Sequence, residues 1–278
     1  MRIAVTGATG KIGGAVAREL SDLGPDLRLV VRSPRRAPEI AGADVVRAEY
    51  ADADACRTAF ADVDVLFLVS AGEAADRIEQ HRTVIRAAAD AGVSHLVYTS
   101  FLGASAEAEF TLARDHGATE EFLQESGMAW TVLRDSFYAD VLLDFAGEDR
   151  TIRGPGAEGR CAFVARSDVA EVAAAILRDP SGWAGRTLDL TGPAAVSLDE
   201  AAAIMTGALG QEYRYVDETL EEAHASRASY GVPDWMVEAW ISTYTAIASG
   251  QLDMVSDDVA IVLGRPATPL AEAVASPL

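Results

Sequence analysis

The tightest constraint on the fold is a glycine turn set between an apolar run and a helix. Arg2–Val5 reads as a β-strand and leads straight into Thr6-Gly7-Ala8-Thr9-Gly10-Lys11-Ile12-Gly13, with glycines spaced G-x-x-G-x-x-G. Ile12, Val16 and Leu20 then recur four apart, which predicts a helix over Lys11–Leu23. Strand, glycine turn and helix in that order open a βαβ unit. In this setting Gly7 permits the tight turn and Gly10 lets the main chain approach a pyrophosphate with no Cβ in the way. Gly13 lets the helix pack close to the strand. The phosphates would rest at the helix N-terminus, where unpaired N–H groups and the positive dipole end favour an anion. Gly7, Thr9, Gly10, Lys11, Ile12 and Gly13 are therefore candidate dinucleotide-binding residues, whereas in another setting the same glycines would form an ordinary turn.

The pattern continues in alternation. Leu27–Val31, Val45–Ala48, Val65–Val69, His95–Thr99 and Ala129–Leu133 read as further strands, and Ala55–Phe60, Glu79–Ala91 and Ala113–Glu125 as helices between them. Gly92 follows the second of these helices as a C′ residue. Near-continuous Val, Leu and Ile in the strands suits a parallel sheet covered on both faces. The expected fold is thus α/β, a doubly wound parallel sheet. After Arg134 the pattern weakens. Ala162–Ala165 is read as a short strand, Ser167-Asp168 as the opening of a helix over Val169–Leu177, and Arg186–Leu190 as a late strand of the main sheet. Ser197 and Glu200 form a capping box, and Pro233–Ser249 reads as a helix. The expected organisation is a nucleotide-binding domain over 1–192 and a smaller, mostly helical substrate lobe over 193–278.

Charge narrows the ligand. Among 278 residues there are 23 Lys plus Arg against 43 Asp plus Glu, a net charge of −20 that repels nucleic-acid backbones. An anion must be held by local donors. One basic island stands out at the end of the second strand, Val31-Arg32-Ser33-Pro34-Arg35-Arg36, where NAD-specific sites place a carboxylate for the ribose 2′-OH. A guanidinium there suits a 2′-phosphate, so Arg32 is the candidate that selects NADP(H). No apolar run reaches the ~20 residues of a membrane span. Cys56 and Cys161 are too few for a disulfide framework or cysteine zinc site, the four histidines form no HExxH pair, and no metal is expected. Met1–Val5 enters the glycine turn without a cleavage site, so no signal peptide is expected and a reducing cytoplasm is the expected compartment. A homodimer is compatible with the sequence.

Several segments together carry a family likeness: Val5-Thr6-Gly7-Ala8-Thr9-Gly10 with Gly13; Leu96-Val97-Tyr98-Thr99-Ser100; His116 with Ala118-Thr119-Glu120; and Thr131-Val132-Leu133-Arg134 followed by Tyr138. In the tail are Ala246-Ile247-Ala248-Ser249-Gly250, Ser256-Asp257-Asp258 and Thr268-Pro269-Leu270. The sequence resembles, over essentially its whole length, the NmrA-like group of atypical short-chain dehydrogenases. Within that group it is most similar to type 2 NAD(P)H:quinone oxidoreductases and triphenylmethane dye reductases. The resemblance implies a Rossmann core, NADPH as hydride donor and a quinone or similar conjugated compound as acceptor. The group also holds non-catalytic dinucleotide-binding redox sensors, and an isomerase or biosynthetic reductase on the same scaffold is a third reading. No long exposed apolar stripe is visible for a partner protein, which favours an enzyme. Two departures from the group, Arg134-Asp135 for Arg-Asn and Ala48-Glu49 for Gly-Asp, bear on detailed contacts.

Lysine is decisive for the chemistry. Lys11 is the only one in the chain. The Tyr-x-x-x-Lys pair with which typical short-chain dehydrogenases protonate an alkoxide is therefore impossible. Quinones and conjugated dyes are easier acceptors, since added hydride is delocalised and water can supply the proton. His116 is a candidate proton donor or acceptor-orienting group, and Tyr138 a candidate pocket wall or hydroxyl donor. Ser70, Thr99 and Ser100, at strand C-termini, are candidates to line the nicotinamide and ribose. Phe101, Phe137 and Trp235 could offer an apolar face to a flat acceptor, although such residues more often belong to a core.

Overall fold

The computed structural model describes residues 1–278. Along the chain run β1 (Ile3–Thr6), α1 (Lys11–Glu19), β2 (Leu27–Val31), β3 (Asp44–Arg47), α2 (Ala53–Ala59), β4 (Val65–Leu68) and α3 (Arg77–Ala91). Then come β5 (His95–Phe101), α4 (Thr111–Glu125), β6 (Ala129–Asp135), α5 (Val141–Ala146), β7 (Thr151–Gly154), β8 (Arg160–Cys161), α6 (Arg166–Arg178) and β9 (Arg186–Leu190). The remainder is β10 (Val196–Ser197), α7 (Leu198–Leu209), β11 (Arg214–Asp217), α8 (Leu220–Arg227), α9 (Asp234–Ala248), α10 (Asp258–Leu263) and α11 (Leu270–Ala275). No helix is long and apolar enough to cross a membrane.

Seven strands form one sheet in the order β3-β2-β1-β4-β5-β6-β9. Pairing from β3 through β5 is parallel, with Ile3 opposite both Leu27 and Val65. Every residue of β1, β2, β4 and β5 is buried. That explains their mostly apolar character, for neither face meets water, and polar members such as Arg28 and His95 are hydrogen-bonded within the fold. The order reverses between β1 and β4, which makes the C-terminal ends of these strands the switch point where open sheets bind ligands. The fold is the doubly wound Rossmann type.

Two compact units make up the chain, each discontinuous in sequence. The first comprises Met1–Ser100, Asp115–Arg134 and Val169–Leu188. Its core joins Phe60, Leu66, Leu68, Val84, Leu96, Tyr98, Leu123 and Val132. Asp52 caps α2 by accepting from Ala55 N–H at 3.0 Å, and Gly92 ends α3 at φ 85°. The second unit comprises Phe101–Arg114, Asp135–Asp168 and Asp189–Leu278. Its helices are joined by a parallel pair, β7 with β11, and an antiparallel pair, β8 with β10. Ser197 and Glu200 form the expected capping box at α7, and Thr219 and Glu222 form another at α8. Asp168 is fully buried and accepts from Thr268 through its amide at 2.6 Å and its hydroxyl at 2.8 Å. The tail motif is thereby a structural clasp.

Two expectations need correction. The helix read as Lys11–Leu23 stops at Glu19, and a 3₁₀ segment follows over Ser21–Asp26, broken by Gly24 at φ 53° and by Pro25. Ala162–Ala165 is not a continuous strand. Ala162 N–H donates to Leu252, Val164 N–H donates to Phe137, and the Ala162 carbonyl accepts from Gly192. Its main-chain groups are divided among three partners, leaving β8 at Arg160–Cys161 and one bridge between Tyr138 and Val164.

Candidate functional site

Strand β1 delivers the chain to Gly7, whose φ of 61° is left-handed and favours glycine. Gly10 N–H closes the turn onto the Gly7 carbonyl at 2.8 Å. Gly10 is then the N-cap of α1, with extended backbone, no side chain capping the helix and no acidic residue in its first turn. No side chain therefore competes for the N-terminus of this nine-residue helix, which suits an anionic acceptor. A Cβ on Gly13 would lie 2.4 Å from the Gly7 oxygen and 2.7 Å from the Thr6 oxygen. That glycine is demanded by the close approach of α1 to the turn.

A cavity of about 220 Å³ opens over this turn, entirely within the first unit. Gly7, Thr9 and Gly10 form one side; Val30, Val31 and Arg32 at the end of β2, with Ala48 and Tyr50 after β3, form another. Val69, Ser70, Ala71 and Gly72 after β4 complete the wall together with Gln80 of α3. No carboxylate lines the cavity, although the chain carries a charge of −20. Arg32 stands on the wall, exposed and without an ion pair. Glu49, the nearby carboxylate in sequence, is paired to Arg47 at 2.9 Å. Uncapped helix amides and a free guanidinium on one carboxylate-free cavity fit a ligand with phosphate at two places, as a phosphorylated dinucleotide has.

The structure brings Gly7, Thr9, Gly10, Arg32 and Ser70 to this cavity and keeps the other candidates out of its lining. Lys11 is exposed beside it, Ile12 faces the core, and Gly13 serves packing. Thr99 lies beneath the wall, where its hydroxyl accepts from Ser70 N–H at 2.8 Å. The Ser100 hydroxyl donates to Glu120, which also takes the guanidinium of Arg134 in a two-point pair at 2.9 and 2.6 Å. Tyr50, Val69, Ala71, Gly72 and Gln80 were not legible as site residues. The one sequence signal for Tyr50 is an aromatic just beyond the end of β3. Its hydroxyl reaches Thr6 Oγ1 at 2.6 Å and the Val69 carbonyl at 2.7 Å, and burial pushes its pKa above the ordinary tyrosine range.

His116 is buried, with both ring nitrogens engaged. Arg77 Nη2 donates to Nε2 at 2.8 Å, and Nδ1 meets the Tyr98 hydroxyl at 2.8 Å. A guanidinium can only donate, so Nε2 must be the unprotonated acceptor and Nδ1 carries the hydrogen. Burial, with the positive charge of Arg77 next, holds the pKa well below the usual histidine range. His116 is therefore a neutral ring whose single N–H meets the Tyr98 hydroxyl.

In the second unit, Tyr138 donates its hydroxyl to Asp135 Oδ2 at 2.7 Å, under the Arg166 guanidinium 4.5 Å from the ring centre. Arg166 in turn pairs with Asp140. Burial raises the Asp135 pKa to about 8, and its Oδ1 is buried without a hydrogen-bond partner. Phe101 and Phe137 do come together, 4.8 Å between centroids, but in a buried cluster with Phe110; Trp235 is exposed on α9. Phe101 and Phe137 therefore belong to the core.

Residues 7–180 match a family model described as NAD(P)H-binding. The chain is 33% identical to an NADPH-dependent quinone oxidoreductase from Escherichia coli, solved in complex with NADPH, covering 98% of each chain with a TM-score of 0.89. It is 31% identical to the triphenylmethane reductase of Citrobacter sp. complexed with NADP(H), covering 99% of each with a TM-score of 0.87. An NAD(P)H azoreductase of Xenophilus azovorans is 32% identical over 97% of this chain and 96% of its own.

Proposed function

The chain belongs to the NAD(P)H-binding family, in its NmrA-like group of oxidoreductases, and from that membership we propose that it transfers hydride from NADPH to a quinone or a similar conjugated acceptor. The observation that carries this reading is the pairing of an uncapped α1 N-terminus with unpaired Arg32 on one carboxylate-free cavity. The turn of Gly7, Thr9 and Gly10 at the start of α1 holds the pyrophosphate, and Arg32 holds the 2′-phosphate through charge-assisted hydrogen bonds. Tyr50, Val31 and Ala48 face the adenosine end, and Ser70 a ribose. NADPH bound there supplies the hydride.

The protein's own contribution is binding and orientation. No lysine is available to activate a tyrosine, and the neutral His116 ring is engaged by Arg77 at Nε2 and by Tyr98 at Nδ1. Tyr138 spends its hydroxyl hydrogen on Asp135. Acceptors that delocalise the added charge fit this shortage of acids, because water protonates them. The reading includes a small-molecule acceptor recognised with the help of 193–278, a homodimeric assembly and a cytoplasmic setting.

The test follows NADPH absorbance with benzoquinones, naphthoquinones, an azo dye and a triphenylmethane dye, alongside titrations of NADPH and NADH. Turnover with a marked preference for NADPH is expected. Tight NADPH binding without turnover on any acceptor refutes the enzymatic reading and leaves a dinucleotide-binding sensor; equal affinity for both coenzymes refutes the role of Arg32.

A further inference from the structure

We infer that Arg77, His81 and His116 are positioning residues of the NADPH site, which hold the main chain of Val69–Gly72 as a ready-made wall without touching the coenzyme. The inference rests on the reading of the cavity as the NADPH site. None of the three lines the cavity, whereas all four wall residues do.

Successive main-chain groups of this wall are tied by side chains. Val69 N–H donates to Thr6 Oγ1 at 3.0 Å, and the Val69 carbonyl accepts from Tyr50. Ser70 N–H donates to Thr99 Oγ1. Ala71 is held at both ends: its N–H donates to His81 Nε2 at 2.8 Å, and its carbonyl accepts from Arg77 Nε at 2.9 Å. Arg77 and His81 lie four apart on α3 and so share one helix face.

Those two side chains are themselves fixed from α4 and β5. Arg77 reaches Asp115 at 3.3 Å and His116 at 2.8 Å, and His116 ends on Tyr98. Because His81 Nε2 accepts a main-chain hydrogen, Nδ1 carries the ring hydrogen and donates to Thr119 Oγ1, which donates onward to the Asp115 carbonyl. Burial keeps the His81 ring neutral, as this tautomer requires. Side chains of α3, braced by α4 and β5, thus fix both peptide groups of Ala71. A segment already fixed has no ordering cost left when the coenzyme arrives, which raises affinity with no added contact.

His81→Phe keeps ring bulk and removes the acceptor for Ala71 N–H; His81→Gln sets an amide oxygen near the place of Nε2. The expected result for the first is a rise of roughly tenfold in the Kd and KM for NADPH, with kcat at saturating NADPH within about twofold of wild type. The second restores most of the affinity. His116→Gln should raise Kd and KM through Arg77 and leave the pH profile of kcat unchanged. In the wild-type protein without coenzyme, hydrogen exchange at the Ala71 amide should be strongly protected. Rapid exchange there, or an unchanged NADPH Kd in His81→Phe, overturns the inference. So does a His116→Gln variant that loses kcat at constant KM or shifts its pH profile, since that is the signature of a proton donor. If the wild type turns over no acceptor while these affinities move as expected, the proposed reaction falls and the positioning role stands.

Discussion

Gly10 and Gly13 sit three residues apart in the same turn, and the same substitution at each should damage different things. A Cβ at Gly13 meets the Gly7 oxygen at 2.4 Å, the Gly7 carbonyl carbon at 2.6 Å and the Thr6 oxygen at 2.7 Å. A carbon ordinarily stands about 3.3 Å or more from a carbonyl oxygen, so α1 would have to retreat by roughly 1 Å. All three obstacles are main chain and cannot rotate aside. Overpacking costs about 1–3 kcal/mol, with this site at the upper end. The helix propensity of alanine returns about 1 kcal/mol. A net loss of about 2 kcal/mol corresponds to a fall of roughly 4–8 °C in Tm for a chain near this size. A Cβ at Gly10 meets only the Gly7 oxygen, at 3.3 Å, and the backbone there, φ −92° and ψ 177°, suits any residue. Gly10→Ala should keep its Tm within about 2 °C, since surface changes of this kind stay within about 0.5 kcal/mol. Its methyl group stands at the cavity, and displacing a pyrophosphate from one charge-assisted bond costs about 1.5–3 kcal/mol, or roughly 10- to 150-fold in NADPH affinity. Calorimetry and NADPH fluorescence titration on the same preparations read both. A Gly13→Ala protein as stable as wild type, or a Gly10→Ala protein with undiminished affinity, refutes the division of labour.

Three further outcomes are expected. Arg32→Ala should lose about 10- to 100-fold in kcat/KM for NADPH and less than about twofold for NADH, with the gap narrowing in salt; equal losses would remove the 2′-phosphate contact. Asp135 has its folded pKa raised to about 8 by burial, above an unfolded value of about 3.9. Its stabilising contribution is therefore full below about pH 3.9 and lost as pH rises to 8, so Asp135→Asn should gain Tm over wild type increasingly from about pH 4 to 8 and level off above, and a constant difference would contradict the burial account. The His81 pKa is lowered to about 3 by burial and then by Arg77, below an unfolded value of about 6.5, so its contribution is full above pH 6.5 and lost as pH falls toward 3. Denaturant titrations should show wild type losing up to about 1.4 kcal/mol more per pH unit than His81→Gln in that range, and parallel curves would refute this.

Local chemistry explains what was readable in advance. The glycine turn, the apolar strands and the cap at Gly92 each depend on neighbours in sequence, and Arg32 was identifiable because no carboxylate stands at the end of β2. The strand pair β7 and β11 escaped because Thr151 and Arg214 are 63 residues apart and each strand has only four residues. The tautomer of His116 was hidden for the same reason, since it is set by Arg77, 39 residues away. Spacing shows that a histidine lies on a helix but not which charge lies against it. The Thr219 and Glu222 capping box was present in the pattern; it lay in a stretch where apolar periodicity is weak.

The exposed side chain of Lys11, at the first helical position after the glycine turn, is the only primary amine in the chain apart from the N-terminus. Succinimide esters therefore have one side chain to acylate, close to where the nucleotide arrives. A fluorophore coupled there would make the protein an optical reporter of coenzyme occupancy, and attachment to amine-reactive beads would mask the very mouth that such a reporter needs open.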